Sequence, residues 1–285
     1  MNTPLSRRTV TVTLLAGAAA LGATGPARAT PAPAPAGTTA PAAPDAPHPT
    51  IVLAHGAFTD ASSWAPVVER LIERGHRVVA PPVPLRSLAG DAAHLRSVLD
   101  TIEGPVVLVG HSYGGSVISR AAVGAAHVKA LVYIAAFVPD AGESAAGLTD
   151  TYPGSSLART TVTRKYPLPG GGQGDELLIR QDLFHRQFAA GVPAATAEVM
   201  AVGQRPVTVA ALRERATAAA WKELPTWYLI ATEDRNIPPA AQRWMATRAK
   251  ARTTAVHAPH AVAVSDPRAV TDVILDAVRS VRAGH

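Results

Sequence analysis

Gly110-His111-Ser112-Tyr113-Gly114 is a Gly-x-Ser-x-Gly pentapeptide set between the apolar run Val106-Val107-Leu108-Val109 and a stretch of small residues. Strand, sharp turn and helix is the context in which a serine is held in a strained conformation with its hydroxyl raised at the carboxyl end of a sheet. The glycines let the chain fold tightly past that serine, and Gly115 lets the following helix pack close to the neighbouring strand. A serine hydroxyl is a poor nucleophile at neutral pH. It needs a histidine to take its proton and a carboxylate to hold that imidazole in one tautomer. On a sheet of this kind the chain order is serine, acid, histidine, the last two just past late strands. The sequence supplies Asp234, in the turn after an apolar run at 226–231, and His260, just past a run at 253–257.

Each position has a rival. Glu233 adjoins Asp234, and Asp140 follows the apolar run 130–137, where its other reading is a helix cap. His257 competes with His260 but falls where the strand still runs, so it reads as a packed or edge histidine. Asp234 and His260 are preferred on position. His111 is read as orienting the turn rather than titrating. A tetrahedral intermediate also needs two N–H donors aimed at its oxyanion. Tyr113, directly after the serine and at a helix start, supplies one. The loop His55-Gly56-Ala57-Phe58 after the first strand supplies the other, from Ala57 or, as second choice, Phe58. Gly56 allows close approach, and His55 reads as a structural histidine bonded to nearby backbone.

These groups need a scaffold, and the alternation of patterns describes one. Short apolar runs at 51–54, 77–80, 105–109, 130–137, 226–231 and 253–257 alternate with helix-period stretches at 87–103, 113–123, 238–250 and 266–281. A further helix carries Trp64, Val67, Val68, Leu71 and Ile72, capped by Ser62 or Ser63. Continuous apolar strands separated by helices predict a doubly wound, mainly parallel α/β sheet, with the active centre at the carboxyl ends of its strands. From about 140 to 221 the rhythm breaks into glycine- and proline-rich chain and shorter helical pieces, including 175–188 and 207–220. This predicts a small helical cap inserted in a single α/β domain spanning 50–285. Tyr152, Leu157, Tyr166, Leu168, Leu183, Phe184 and Phe188 are its candidate pocket residues, with the cap's own core as the equal alternative.

The amino-terminal part belongs to a different class. Ser6-Arg7-Arg8, an apolar stretch of 16 residues and Ala27-Arg28-Ala29 read as a signal peptide over 1–29, of the twin-arginine type. Its apolar stretch is shorter than the roughly 20 residues that span a bilayer. The expectation is a secreted protein, passed through the twin-arginine export machinery, with no stable membrane insertion. Residues 30–49, almost all Pro, Ala and Thr, read as a disordered linker. Without residues 1–29 the formal charge falls from +6 to +3, since they hold three arginines and no acid. That mild balance, with no basic run interleaved with aromatics, argues against nucleic acid as a partner. The chain has no cysteine, which excludes disulfides and thiolate metal sites. The roughly 235 residues from Thr50 onward suffice for a large core.

With these residues in place, the chain resembles the α/β-hydrolase superfamily over most of 50–282. It is similar to the compact esterase group that includes plant methylesterases and hydroxynitrile lyases, through His55-Gly56-Ala57…Trp64, Gly110 to Gly115, Thr232-Glu233-Asp234 and His260…Ser265-Asp266-Pro267. It resembles still more closely bacterial hydrolases that read Ala-Phe-x-x-Ala-Ser-Ser-Trp after the first His-Gly, as Ala57 to Trp64 do. The resemblance implies serine esterase or amidase chemistry with no metal or organic cofactor. The expected substrate is a small to medium uncharged carboxylic ester. The alternatives are hydroxynitrile lyase or cofactor-free perhydrolase chemistry on the same residues, or a non-catalytic ligand-binding protein. The resemblance also implies a lysine near the triad in the lyases, and the triad turns carry none. The loop after the first strand, Phe58-Thr59-Asp60, and the Ala-, Pro- and Gly-rich cap depart from the plant pattern, so substrate identity does not carry over.

Overall fold

Strand β1 (Thr50–Ala54) is buried along its whole length, with Ile51 and Leu53 in one core and Val52 and Ala54 in the other. Successive side chains of a strand point to opposite faces, so a continuous apolar run is what a sheet covered on both sides requires. The computed structural model describes residues 48–284. The expected signal peptide, and the linker up to residue 47, lie outside the described residues.

From β1 the chain passes through α1 (Ala65–Glu73), β2 (Val78–Val79), α2 (Leu88–Leu99), β3 (Val106–His111), α3 (Tyr113–Ala121) and β4 (Val128–Ile134). A long insertion follows. It holds α4 (Ala145–Asp150), α5 (Leu157–Thr160), β5 (Thr161–Pro167), β6 (Gln173–Ile179), α6 (Gln181–Phe188), α7 (Ala194–Gly203), β7 (Val207–Thr208) and α8 (Val209–Arg213). The sheet resumes with β8 (Thr226–Ala231), α9 (Pro239–Arg248), β9 (Arg252–Val256), α10 (Val262–Ser265) and α11 (Pro267–Arg282). Six strands pair in the order β2-β1-β3-β4-β8-β9, every pair parallel. Helices α1 and α11 bury Val67, Leu71, Val270 and Ile274 on one face; α2, α3 and α9 bury Leu88, Leu95, Val117 and Met245 on the other. This is the doubly wound parallel α/β sheet expected from the alternation, in the α/β-hydrolase arrangement that the resemblance implies.

The topology also fixes where chemistry can sit. The chain moves from β1 outward to β2, then returns to place β3 on the other side of β1. The loops leaving β1 and β3 therefore diverge to opposite faces and open a crevice at the carboxyl ends of the strands. Ser112 and the His55–Phe58 loop border that crevice.

Three local expectations are corrected. The first helix is entered through a 3-10 turn (Ala61–Trp64) capped by Asp60, whose Oδ1 accepts from Ser62 N at 2.8 Å; Ser62 and Ser63 are not the cap. The insertion is not purely helical. Residues 175–179, expected to start a helix, belong to β6, which pairs antiparallel with β5 across the Gly170-Gly171-Gly172 turn. All three glycines have positive φ, a conformation that closes the hairpin and that side chains disfavour. Residues 207–220 are likewise not one helix: the short strand β7 leads into α8, which Thr208 caps through its hydroxyl at 3.0 Å from Ala211 N and which ends at Arg213, with irregular chain from 214 to 219.

Candidate active site

Ser112 follows β3 at φ 55°, ψ −124°, a left-handed backbone conformation that costs free energy in any residue but glycine. It is held there from three directions. Its N–H donates to the Ile134 carbonyl at 3.3 Å, and its carbonyl accepts from Gly115 N at 3.0 Å and Phe137 N at 3.1 Å. A Cβ on Gly56 would lie 2.6 Å from Ser112 Cβ, so only glycine lets the β1 loop come this close to the serine.

The structure brings Ser112, His260 and Asp234 into one hydrogen-bonded line. Ser112 Oγ is 2.8 Å from His260 Nε2, and His260 Nδ1 is 2.6 Å from Asp234 Oδ2. Because the carboxylate accepts at Nδ1, the proton of the neutral imidazole sits there. Nε2 is then left with its lone pair facing the serine hydroxyl. Asp234 is itself gripped by the Asn236 and Ile237 amides at 2.7 and 3.0 Å and by Gln242 Nε2 at 2.8 Å. All three residues are buried.

The rivals stand elsewhere. His257 Nε2 lies 3.2 Å from a Glu233 carboxylate oxygen, and both side chains are exposed. Asp140 pairs with Lys222 at 2.6 Å and accepts from Ala141 N, and the lysine holds its carboxyl below the usual range. His111 is buried, and burial pushes its imidazole well below the ordinary histidine value. Its Nε2 donates to the His260 carbonyl at 2.9 Å, so a neutral His111 anchors the backbone of the neighbouring histidine.

The two amides expected to face an oxyanion have no acceptor among the described residues, and each is braced from behind. His55 Nε2 accepts from Val83 N at 2.8 Å, which leaves the proton on Nδ1, donated to the Gly56 carbonyl at 2.9 Å. In a trans peptide, N–H and C=O point in opposite directions. Fixing the Gly56 carbonyl against His55 therefore aims the Ala57 N–H the other way, which favours Ala57 over Phe58. On the other side, the Tyr113 hydroxyl donates to Asp91 Oδ2 at 2.9 Å, and burial raises the Asp91 carboxyl. The loop between β2 and α2 supplies one brace through Val83, and the first turn of α2 supplies the other through Asp91, which also accepts from Arg86 N in that loop at 3.2 Å. The insertion docks on the same loop. Thr208 N donates to the Leu85 carbonyl at 3.1 Å and Thr208 Oγ1 to the Arg86 carbonyl at 2.7 Å, and Arg86 pairs with the buried Glu176 at 2.6 Å.

His55 gives a stability prediction. Burial lowers its pKa from 6.5 to about 4. Between those values the unfolded chain carries a proton that the folded one does not, so stability falls as pH falls through that window, by about 3 kcal/mol when complete. His55→Gln keeps an acceptor near Val83 N without the titration. Thermal unfolding at pH 7 and pH 4.5 should show a smaller loss for this variant; equal losses would remove His55 as the cause.

Beside Ser112 lies a cavity of about 50 Å³, lined by Ala57, Phe58, Phe137, Ala145, Leu157 and Ile237 among its apolar residues, with Thr149 and Asn236 as polar ones. Of the candidate pocket residues only Leu157 lines it. Phe188 packs edge-on against His260 with ring centroids 5.0 Å apart and stacks with Phe184, while Tyr166 lies under the Arg86 guanidinium and Leu168 is exposed. A wider hollow of about 610 Å³ lies at the amino ends of β3, β4 and β8, on the opposite side from the serine. Among the described residues no group of three potential ligands could hold a metal ion, and no helix is long and apolar enough to cross a membrane. Sequence reasoning missed Gln242, Gln187, Asn236 and Asp91. They are polar residues on helix faces or in turns, with no local pattern to mark them.

A parallel six-stranded sheet, a serine elbow and an acid and histidine on late turns define an α/β hydrolase. The pattern of the alpha/beta hydrolase family matches residues 51–273, and the chain belongs to that family. It is similar to a carbendazim hydrolyzing esterase of Nocardioides sp. (strain SG-4G), 41% identical over 106 residues, which are 33% of this chain and 44% of that protein. The chain thus spans less than half of that curated relative. Among solved structures it is similar to polyneuridine aldehyde esterase, with a TM-score of 0.72 at 20% identity over 81% of this chain and 99% of that one. An extracellular alpha/beta-hydrolase from a Paenibacillus species has a TM-score of 0.64 at 22% identity over 80% and 98%. At these identities the two structures speak for the fold alone.

Proposed function

We propose that this protein is a secreted serine hydrolase that cleaves small to medium uncharged carboxylic esters through an acyl-enzyme. The observation that carries the reading is the unbroken line Ser112 Oγ–His260–Asp234 in the tautomer the chemistry needs, beside two amides that no acceptor among the described residues takes. Ser112 attacks the ester carbonyl while His260 Nε2 takes its proton. Asp234 keeps the imidazole oriented and stabilises the imidazolium that forms. The Ala57 and Tyr113 N–H groups take the oxyanion. His260 then protonates the leaving alcohol, and a water activated the same way releases the acid and restores Ser112. No cofactor enters the scheme. The insertion between β4 and β8 acts as a cap, and its α4 and α5 side chains limit the acyl group.

Secretion rests on the twin-arginine pattern at residues 1–29. Replacing Arg7 and Arg8 with lysine should retain the protein in the cytoplasm of a host with twin-arginine export, which fractionation would detect. The activity is tested with p-nitrophenyl esters from acetyl to dodecanoyl, following the acyl-enzyme by intact mass. Serine-dependent turnover highest at the shortest chains is expected. No turnover and no adduct on Ser112 would overturn the reading.

A further inference from the structure

Asn236 is a buried polar residue beside the serine that the proposed reaction does not use, and it lines the cavity at Ser112. Its backbone N–H binds Asp234, which fixes it in the turn after the acid. The orientation of its side chain follows from its neighbours. Gln187 places one end of its carboxamide 3.0 Å from the Arg235 carbonyl, which only accepts, so that end is the nitrogen Nε2. The same nitrogen lies 2.7 Å from the Asn236 side chain, which must therefore present its oxygen Oδ1. Ser156 Oγ, donating to Gln187 Oε1 at 2.6 Å, completes the assignment. The Asn236 NH2 group is left facing away from Gln187, and no acceptor among the described residues takes either of its hydrogens.

Asn236 is only 2% exposed, and its NH2 nitrogen is not fully buried but reached from the cavity that the residue lines, where a ligand oxygen can accept from it. The surroundings of this nitrogen are apolar apart from Ser112 and Thr149, and the Thr149 hydroxyl already donates to the Ala145 carbonyl at 2.9 Å. The cavity of about 50 Å³ has room for a few heavy atoms. We infer that the Asn236 NH2 group is a substrate-recognition donor for an ether or carbonyl oxygen held within a few bonds of the scissile carbonyl. The preferred substrates are then short oxygenated esters rather than plain alkyl esters of the same size. This rests on the esterase reading above and names its substrate class.

The test uses two esters of matched size, p-nitrophenyl methoxyacetate and p-nitrophenyl butanoate, which differ by an oxygen in place of a CH2. Each variant is compared with wild type on the same ester, so the intrinsic reactivities cancel. In Asn236→Leu, the ratio of kcat/KM for methoxyacetate over butanoate should fall about tenfold or more, whatever loss the two share. Asn236→Asp keeps an oxygen for Gln187 but removes the NH2 group, and should lower the same ratio if the leucine variant does not fold. Gln187→Leu removes the contact that orients the Asn236 carboxamide, and should lower the same ratio by less than Asn236→Leu does. An unchanged ratio in the folded Asn236 variants, with turnover still lost in Ser112→Ala, overturns the role of Asn236 alone. No serine-dependent turnover of either ester overturns the esterase reading and this inference with it.

Discussion

Alanine at position 112 is expected to lower kcat by roughly 10^4- to 10^6-fold on any ester the protein hydrolyses, with no loss of fold. The hydroxyl is the only group removed, and its partners His260 and Asp234 remain bonded to each other at 2.6 Å. Relief of the strained serine backbone is not expected, because alanine has the same difficulty at φ 55°. Because the three residues act as a unit, Ser112→Ala with His260→Ala should be scarcely worse than either alone. Asp234→Asn should cost about 10^4-fold in kcat, since an amide NH2 at this position turns the imidazole to the wrong tautomer. It would also set its NH2 against the Gln242 Nε2 donor or the Asn236 and Ile237 amides, so some stability should go as well. Steady-state kinetics with active-site titration measures all four variants. A Ser112→Ala protein within tenfold of wild type would remove the serine from the mechanism.

The second large effect falls on stability. A Cβ on Gly114 would stand 2.5 Å from the Ala54 carbonyl oxygen and 2.8 Å from that of His55, both backbone atoms at the end of β1. Neither can yield as the tip of a flexible side chain could. Gly114→Ala must push α3 away from β1 or distort the loop that carries Ala57, at a cost of about 3 kcal/mol. For a domain of this size that is a fall in Tm of about 6 to 12 °C. The same displacement separates the Ala57 and Tyr113 amides, so kcat should drop in whatever protein remains folded. Gly147→Ala is the control. Gly147 lies in the exposed face of α4, the nearest atom to its added Cβ is Ser144 Oγ at 3.4 Å, and alanine there should add about 0.5–1 kcal/mol. Differential scanning calorimetry separates the two, and equal Tm values for wild type and Gly114→Ala would show that the contact is not as tight as the structure has it.

Much of this was legible in the sequence because the determinants are local. The apolar run at 106–109, two glycines and a small-residue helix specify an elbow wherever they occur. The Thr226–Ala231 strand was legible to the residue, since an uninterrupted apolar segment buried on both faces leaves no other reading. The insertion was less legible. Thr161 to Pro167 is mostly exposed and shows no apolar alternation, its partner lies across a glycine turn, and neither half is stable alone. The Asp60 cap was missed because Ser62 and Ser63 are equally good cap types, and only the backbone at Asp60, at φ −137°, ψ −169°, selects among them.

What the sequence determined by itself is the order of the strands and helices of the main sheet, the parallel sheet they build and the chain order of a serine, an acid and a histidine on carboxyl-end turns. Those follow from periodicity and turn chemistry, which act over a few residues. What the tertiary structure decided is how side chains from distant segments meet. His55 turns one peptide through a contact with Val83, Phe188 of the insertion packs on His260, Asn236 is oriented by Gln187, and the chamber at the serine is small. Each is a distance of a few ångströms between residues dozens of positions apart or more. Such distances are set by the packing of all the elements together, and no local pattern encodes them.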